Sequence, residues 1–468
     1  MNPSLALLIC AIGIAGLFFL DRDKSMRTST ALWLPVLWLG IVGSRSASAW
    51  LGISPPMTDP SQLLEGSPFD RLVYEILLGL GVLVLFHRGR RLAPFLKGSW
   101  AVILYFAYCL VSVLWSDFAD VSFRRWIKAI GDLVMVLIVV TDAQPLEAFK
   151  RLISRLGFLL LPTSVLLIKY FGDLGRGYDP GGAPMNTGVT TNKNTLGVIT
   201  MVITLGVVWN LLRLLRAKDL ENRGRHLLAQ ATLLTFGIAV LFLAHSATSL
   251  ACFTLGAGLL FATSLPFMGR RPGRIHALVG TVFIAGGLAT LLGGDARVVH
   301  ALGRQTDFTG RTEIWKAVMF AVSNPLLGTG FESFWLGPRL NVVWSHLSEY
   351  MHVNEAHNGY LEVYLNLGII GVGLIALIFV KAYRDAVAVF RQDLPAGSLW
   401  LAYIFAAAFY SITEAGFRSL APMWIFLLLA AAAAGGTARS ITRVQPEPVT
   451  LKRTLPTTRL RYAARMQR

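Results

Sequence analysis

The chain has 468 residues, of which 54% are hydrophobic and 15% charged, and it carries a formal net charge of +17. A soluble domain of this length does not sustain so apolar a balance, so an integral membrane protein is indicated. The excess of Lys and Arg gathers at the ends of apolar stretches, where the positive-inside rule accounts for it, and no nucleic-acid partner is expected.

Nearly continuous apolar stretches recur near residues 4–20, 30–44, 72–86, 100–115, 126–141, 152–168, 195–212, 227–244, 249–265, 276–293, 358–380, 399–412 and 419–436. Each approaches the ~20 residues that a helix needs to cross ~30 Å of hydrocarbon. Barrel strands would alternate in shorter segments, so the pattern predicts an all-α polytopic protein of about twelve or thirteen spans. No cleavable signal is evident, and the first stretch is expected to stay as a span. Lys and Arg favour one side roughly two to one, the side of "HRGRR", "MGRRPGR" and the tail, which places the C-terminus in the cytoplasm. The resulting division is 1–292 for helices with an outer loop at 169–194, 293–357 for a large outer loop, 358–436 for the last helices, and 437–468 for a basic tail near anionic lipid. Cys10, Cys109 and Cys252 fall in apolar stretches, so free thiols and no disulfide are expected.

The first outer segment, "KYFGDLGRGYDPGGAPMNTGVTTNKN", is dense in Gly, Asp, Asn and Pro, which favour irregular turns. It contains Arg176 and ends on Lys193 and Asn194; Lys193 could meet a phosphate, or be an ordinary snorkelling lysine. Arg124 and Arg125 extend the outer basic set. In the second segment, Ile314, Trp315, Val318, Met319 and Val322 recur at helical spacing, which predicts an amphipathic helix lying on the membrane surface. Arg311 falls in its first turn, where free backbone N–H groups already favour an anion; it could clamp phosphate or pair with Glu313 or Glu355. Gly328 and Gly330 suggest a tight turn, and Phe331, Phe334 and Trp335 suit a membrane interface.

The string "EAHNGYLEVYLNLG", residues 355–368, then puts Glu355, His357 and Asn358 at the mouth of an apolar helix. A histidine there titrates near neutrality and can serve as a base, with Glu355 and Asn358 orienting the ring or an incoming hydroxyl. The plainer reading is a polar helix start with Asn358 as cap. Ionisable residues inside the spans are few, Asp132, Glu75 and Glu414 being the main ones. The sequence has no Walker loop, no His/Cys metal spacing, no G-x-S-x-G elbow and no D-x-D pair, so metal-free, cofactor-free chemistry is expected.

The strings "DFTGRTEIWKAVMFAVSNPLLGTGFESFW" and "EAHNGYLEVYLNLGIIGVGL", with fainter echoes in "SVLWSDFADVSFRR" and "TTNKNTLG", resemble the bacterial O-antigen ligase and polysaccharide polymerase family, nearest to its exopolysaccharide polymerases. The resemblance implies a GT-C-like helical bundle in the bacterial inner membrane, acting as a metal-independent glycosyltransferase on undecaprenyl-diphosphate-linked oligosaccharides at the periplasmic face. It also implies contact with membrane lipids and with chain-length regulator and export proteins. Carried over by motif, His357 is the base and Arg311 a diphosphate ligand; Lys193, Asn194, Arg176, Asn358 and Glu355 are expected around the substrate from their own positions in the sequence. One departure stands out: in "AHSATSLA" the family usually has a basic residue where this chain has Ala247. Lys193, Arg176 or His245 could substitute. A ligase that moves finished polymer to lipid A core is the alternative within the family, and a flippase or transporter of lipid-linked saccharides the alternative outside it.

Overall fold

The computed structural model describes residues 2–23, 28–53, 67–179, 182–217, 222–265, 308–348 and 353–444, with six positions between 273 and 281. Most of the expected span at 276–293, the loop from 293 to 307 and the tail beyond 444 lie outside the described residues. The main helices are α1 (Pro3–Leu20), α2 (Trp33–Val42), α3 (Pro68–His87), α4 (Gly89–Gly98), α5 (Trp100–Ser112), α6 (Ala119–Val140), α7 (Pro145–Tyr170) and α8 (Lys193–Arg216). There follow α9 (Arg223–Ala244), α10 (Ala247–Ser264), α11 (Phe308–Phe320), α12 (Pro338–Ser345), α13 (Gly359–Phe390), α14 (Leu394–Thr413) and α15 (Pro422–Val444).

Among the described residues, eight helices are long and apolar enough to cross a bilayer: α1, α7, α8, α9, α10, α13, α14 and α15. The pair α4 and α5 makes a ninth if its 86° bend is counted within one span. Of the other expected spans, α2 is short, while α3 and α6 bring charged residues into their first halves. Helix is the economical state here, because hydrocarbon offers no partner for an unpaired backbone group. The starts are written into the sequence: Asn192, Asn358 and Asp393 each accept a backbone N–H at the cap, from Thr195, Leu361 and Ala396.

The bundle is densest around α14 and α15, where Leu401, Ala407, Leu427 and Ala434 are fully buried, whereas α1 buries only Ala6 and Leu17. Small residues set the closest approach: a Cβ on Gly98 would lie 2.5 Å from the Gly435 carbonyl, so a larger residue would push α4 off α15. Buried Asp132 of α6 accepts from Trp38 Nε1 at 2.8 Å and from the Leu420 amide at 2.9 Å, which ties α2 and α6 to the turn before α15. All three cysteines are free; Cys109 and Cys252 are buried and Cys10 half-buried.

The two segments read as outer loops have more order than their composition suggested. Residues Arg176–Tyr178 (β1) pair antiparallel with Pro184–Asn186 (β2), Gly177 opposite Met185. The segment 308–348 forms its own small core: Ile314, Ala317 and Val318 of α11 pack with Phe334, Trp335, Leu340, Val343, Ala356 and Leu365. The apolar face of α11 is therefore covered by protein, leaving Met319 and Phe320 outward, instead of lying as a whole on the membrane. Likewise Phe331, Phe334 and Trp335 are buried rather than interfacial. Packing inward suits them, since burying each such side chain is worth roughly 1.5–3 kcal/mol.

This small core docks on a break in α13. Gly368 has φ +63° and ψ −165°, a backbone region essentially restricted to glycine, and a Cβ there would meet Leu326 O at 2.1 Å. Across the break, Ile369 N donates to Pro325 O, while Thr329 N and Gly330 N donate to Leu365 O and Asn366 O. The irregular backbone at this depth is thus satisfied by the loop it supports.

Candidate functional site

The start of α13 fixes the central residue. Asn358 caps the helix, accepting from Leu361 N at 3.0 Å, and His357 just before it takes a left-handed conformation, φ +49°. Both functions proposed for "EAHN" are thereby separated: Asn358 is the cap, and the ring belongs to His357. The chain before it is held from behind. Ala356 N and Trp335 Nε1 both donate to Glu362, the latter at 2.9 Å, and Trp315 Nε1 donates to Ala356 O at 2.8 Å.

Around His357 cations and carboxylates alternate. Its Nδ1 lies 2.9 Å from Glu355 Oε1 and 3.6 Å from Glu414 Oε2. Neither contact is aligned as a hydrogen bond, so the attraction is charge on charge. Glu414, at the end of α14, also receives Arg311 Nη2 at 2.9 Å and Asn194 Nδ2 at 3.2 Å. On the other flank, Arg418 Nη1 stands 3.4 Å from Glu355 Oε2 and its Nη2 3.9 Å from Glu332 Oε2. Glu332, at φ +53°, is held in turn by the Ser419 amide and hydroxyl and, through its carbonyl, by Arg125 Nη1.

These contacts set the proton positions. Burial alone would lower the His357 ring, but the carboxylates of Glu355 and Glu414 raise it to about 10. Burial would raise Glu355, yet His357 and Arg418 pull it down to about 2. Burial would also lower Arg418, which Glu332, Glu362 and Glu355 nevertheless hold above its ordinary value. At neutral pH His357 is therefore an imidazolium in this geometry, not the neutral ring expected of a resting base. Glu355, His357 and Glu414 each offer a ligand atom within 4.8 Å of one another, a set able to hold a cation. Arg311 and Arg418 already sit on those two carboxylates and supply positive charge at the same place.

Of the sequence-derived residues, the structure brings Arg311, Asn194, Glu355 and His357 together. Glu414 joins three of them, in place of the Glu313 or Glu355 expected beside Arg311. Lys193, one residue from Asn194, faces Asp179 at 4.0 Å. Arg176 donates to Ile168 O at 2.8 Å, at the root of the hairpin. His245 is exposed at the end of α9, and Ala247 opens α10. Sequence reading noted Glu414 only as an ionisable residue in a span and passed over Arg418, Glu332 and Glu362. The available signal was "TEAGFR", residues 413–418, an acid and a base four apart between two apolar runs, where charge is expensive unless used.

The fold and this site define a polytopic, all-helical membrane protein with a cluster of carboxylates, guanidinium groups and a histidine at one end of its bundle. Residues 230–376 match the family model described as O-antigen ligase. Arg311, Glu332, Glu355, His357 and Glu362 all fall inside it, whereas Asn194, Glu414 and Arg418 come from outside. Over 306 residues the chain is also 26% identical to "Exopolysaccharide production protein ExoQ" of Rhizobium meliloti (strain 1021), a match covering 61% of this chain and 66% of that protein, just under two thirds.

Proposed function

We propose that the protein is a glycosyltransferase that joins undecaprenyl-diphosphate-linked oligosaccharide repeat units into exopolysaccharide or O-antigen at the periplasmic face of the bacterial inner membrane. The observation that carries this reading is the cluster in which Glu414 gathers His357, Arg311 and Asn194 from separate elements at one end of the bundle. The Lys and Arg bias favours that end facing the periplasm and the C-terminus facing the cytoplasm. Chain-length regulator and export proteins belong to the same reading as partners.

A lipid-borne diphosphate would exchange with Glu414 for Arg311, and with Glu355 for Arg418, forming charge-assisted bonds to two guanidinium groups. Arg418 is then the second cation that the sequence lacks at position 247, and no metal is required. The acceptor hydroxyl attacks the anomeric carbon, and the bond from that carbon to the diphosphate breaks. The resting imidazolium first gives one ring proton to Glu414 as Arg311 turns to the diphosphate, and the neutral ring then takes the hydroxyl proton, so the pair, and not the ring alone, is the base.

The description of the matched family as O-antigen ligase keeps a second reading, transfer of finished polymer to lipid A core or another acceptor. A flippase would be expected to line a central path with its cations; the cluster instead lies at helix ends. The test is to delete the gene in its host and size the lipid-linked and exported saccharides. Single repeat units without polymer, restored by wild type but not by His357→Ala or Glu414→Gln, support the polymerase, since losing such a proton acceptor lowers turnover by roughly 10²–10⁴. Long polymer stranded on its lipid makes the protein a ligase, and repeat units trapped in the cytoplasm refute both.

A further inference from the structure

The stretch "HRGRRLAPFLKGSW", residues 87–100, folds as more than a basic turn between spans: its residues 89–98 are α4, which meets α5 at 86°. α5 runs alongside α15 in the opposite direction, for Gly98, just before its start, faces Gly435, and the Tyr105 ring lies 5.4 Å from that of Trp424. Since α15 is a membrane-crossing helix, α4 lies close to the membrane plane. Its level is that of Gly435, thirteen residues past Pro422 and so roughly 20 Å along α15. This is the end of the bundle opposite His357, the end that the Lys and Arg bias favours as cytoplasmic.

The two sides of α4 differ. Leu92, Phe95 and Leu96, at helical spacing, pack on the core of the bundle, and the Phe95 ring stands where a Cβ on Gly436 would be. Arg90 and Lys97, seven residues apart, share the other side and Arg91 borders it; all three are exposed and form no ion pair among the described residues. Carboxylates do not balance them. From residue 76 to 116 the sequence has no acid, and α15 has none either. Asp142, after α6, and Asp385 of α13, beside Gly435, reach the same end, but counted in full they match Arg88 at 3.4 Å and Lys381 at 2.5 Å. Arg90, Arg91 and Lys97 remain in excess. The bilayer borders α4 at both ends, where Phe86 of α3 is 84% exposed and Trp100 of α5 49%, aromatic rings that suit the level of lipid headgroups.

We propose that α4 is an in-plane helix that binds anionic phospholipid, whose headgroup phosphates meet Arg90, Arg91 and Lys97 while the apolar side of the helix holds to α15. Because α15 begins four residues after Arg418, lipid bound at α4 steadies the helix that leads from the His357 cluster. This holds whichever reaction that cluster carries out. The test is lipid retention by the full-length protein from nanodiscs of phosphatidylcholine and phosphatidylglycerol in equal parts, read by native mass spectrometry, with thermal midpoints measured in the mixture and in phosphatidylcholine alone. Wild type should retain phosphatidylglycerol in preference and melt higher in its presence. An exposed cation at an anionic surface is worth about a fivefold preference, so the combined variant Arg90→Gln/Arg91→Gln/Lys97→Gln should lower that retention on the order of 100-fold. It should also lose the rise in midpoint while melting like wild type in phosphatidylcholine alone. Arg90→Lys/Arg91→Lys should behave as wild type, and Arg384→Gln/Arg391→Gln, which removes two exposed cations from the same end, should keep most of the preference. Unchanged retention in the combined variant would overturn the proposal. So would equal loss in the Arg384/Arg391 variant, since the preference would then belong to the charge of the whole end, and so would a lower midpoint of the combined variant in phosphatidylcholine, which would give the three cations a role in the fold instead.

Discussion

Glu362 is the residue on which the position of His357 depends without itself meeting substrate. Its carboxylate takes two buried donors, Ala356 N and Trp335 Nε1. Glu362→Leu keeps most of the volume and leaves both donors unpaired, at about 1–3 kcal/mol each, so roughly 2–6 kcal/mol of support for the segment 353–358 is removed. With RT near 0.59 kcal/mol, even the lower figure shifts the balance between ordered and disordered segment about 30-fold. Glu362→Gln restores one acceptor and should fall between wild type and Leu. Hydrogen–deuterium exchange of residues 353–358 in nanodiscs reads the ordering, and polymer length from membranes reads the activity. Faster exchange and shorter polymer in the order wild type, Gln, Leu is expected. A Leu variant with wild-type exchange at Ala356 would refute the reasoning, because the amide would then not have relied on Glu362.

Gly368→Ala should be severe for a residue so far from the chemistry: its backbone region costs on the order of 1–3 kcal/mol for alanine, and the added methyl meets Leu326 O. The thermal midpoint should fall along with activity, whereas Gly373→Ala, whose Cβ meets nothing within 4 Å, should change neither. Stability should also follow pH with two limbs. The His357 ring is raised to about 10, so its contribution is complete below its unfolded value near 6.5 and is lost as pH rises through 10. Glu355 is lowered to about 2, so its contribution holds above 4.5 and is lost as pH falls through 2. Tryptophan-fluorescence melting across pH should show a plateau near pH 4.5–6.5, and His357→Gln should flatten the alkaline limb; an unchanged limb would mean the ring is not held protonated.

By itself the sequence determined the membrane class, most of the helices and the region that matters. Hydropathy sums over neighbours in the chain, and caps such as Asn358 act on residues three positions away, so both are legible locally. The same holds for His357 and Arg311, which stand in contiguous motifs. Only the tertiary structure decided what those residues meet. Arg311 finds Glu414 across 103 positions, and Asn194 finds the same carboxylate across 220. Which helix ends converge depends on close contacts such as Gly98 on α15 and the loop docked at Gly368, and no local pattern encodes those partners. For the same reason the amphipathic face of α11 was legible but its covering was not: periodicity reveals an apolar stripe without saying whether lipid or protein will bury it. The protonation of His357 follows from two carboxylates brought in by folding, one of them from another helix, which is why a motif that reads as a base becomes, in the folded chain, an imidazolium held between two acids.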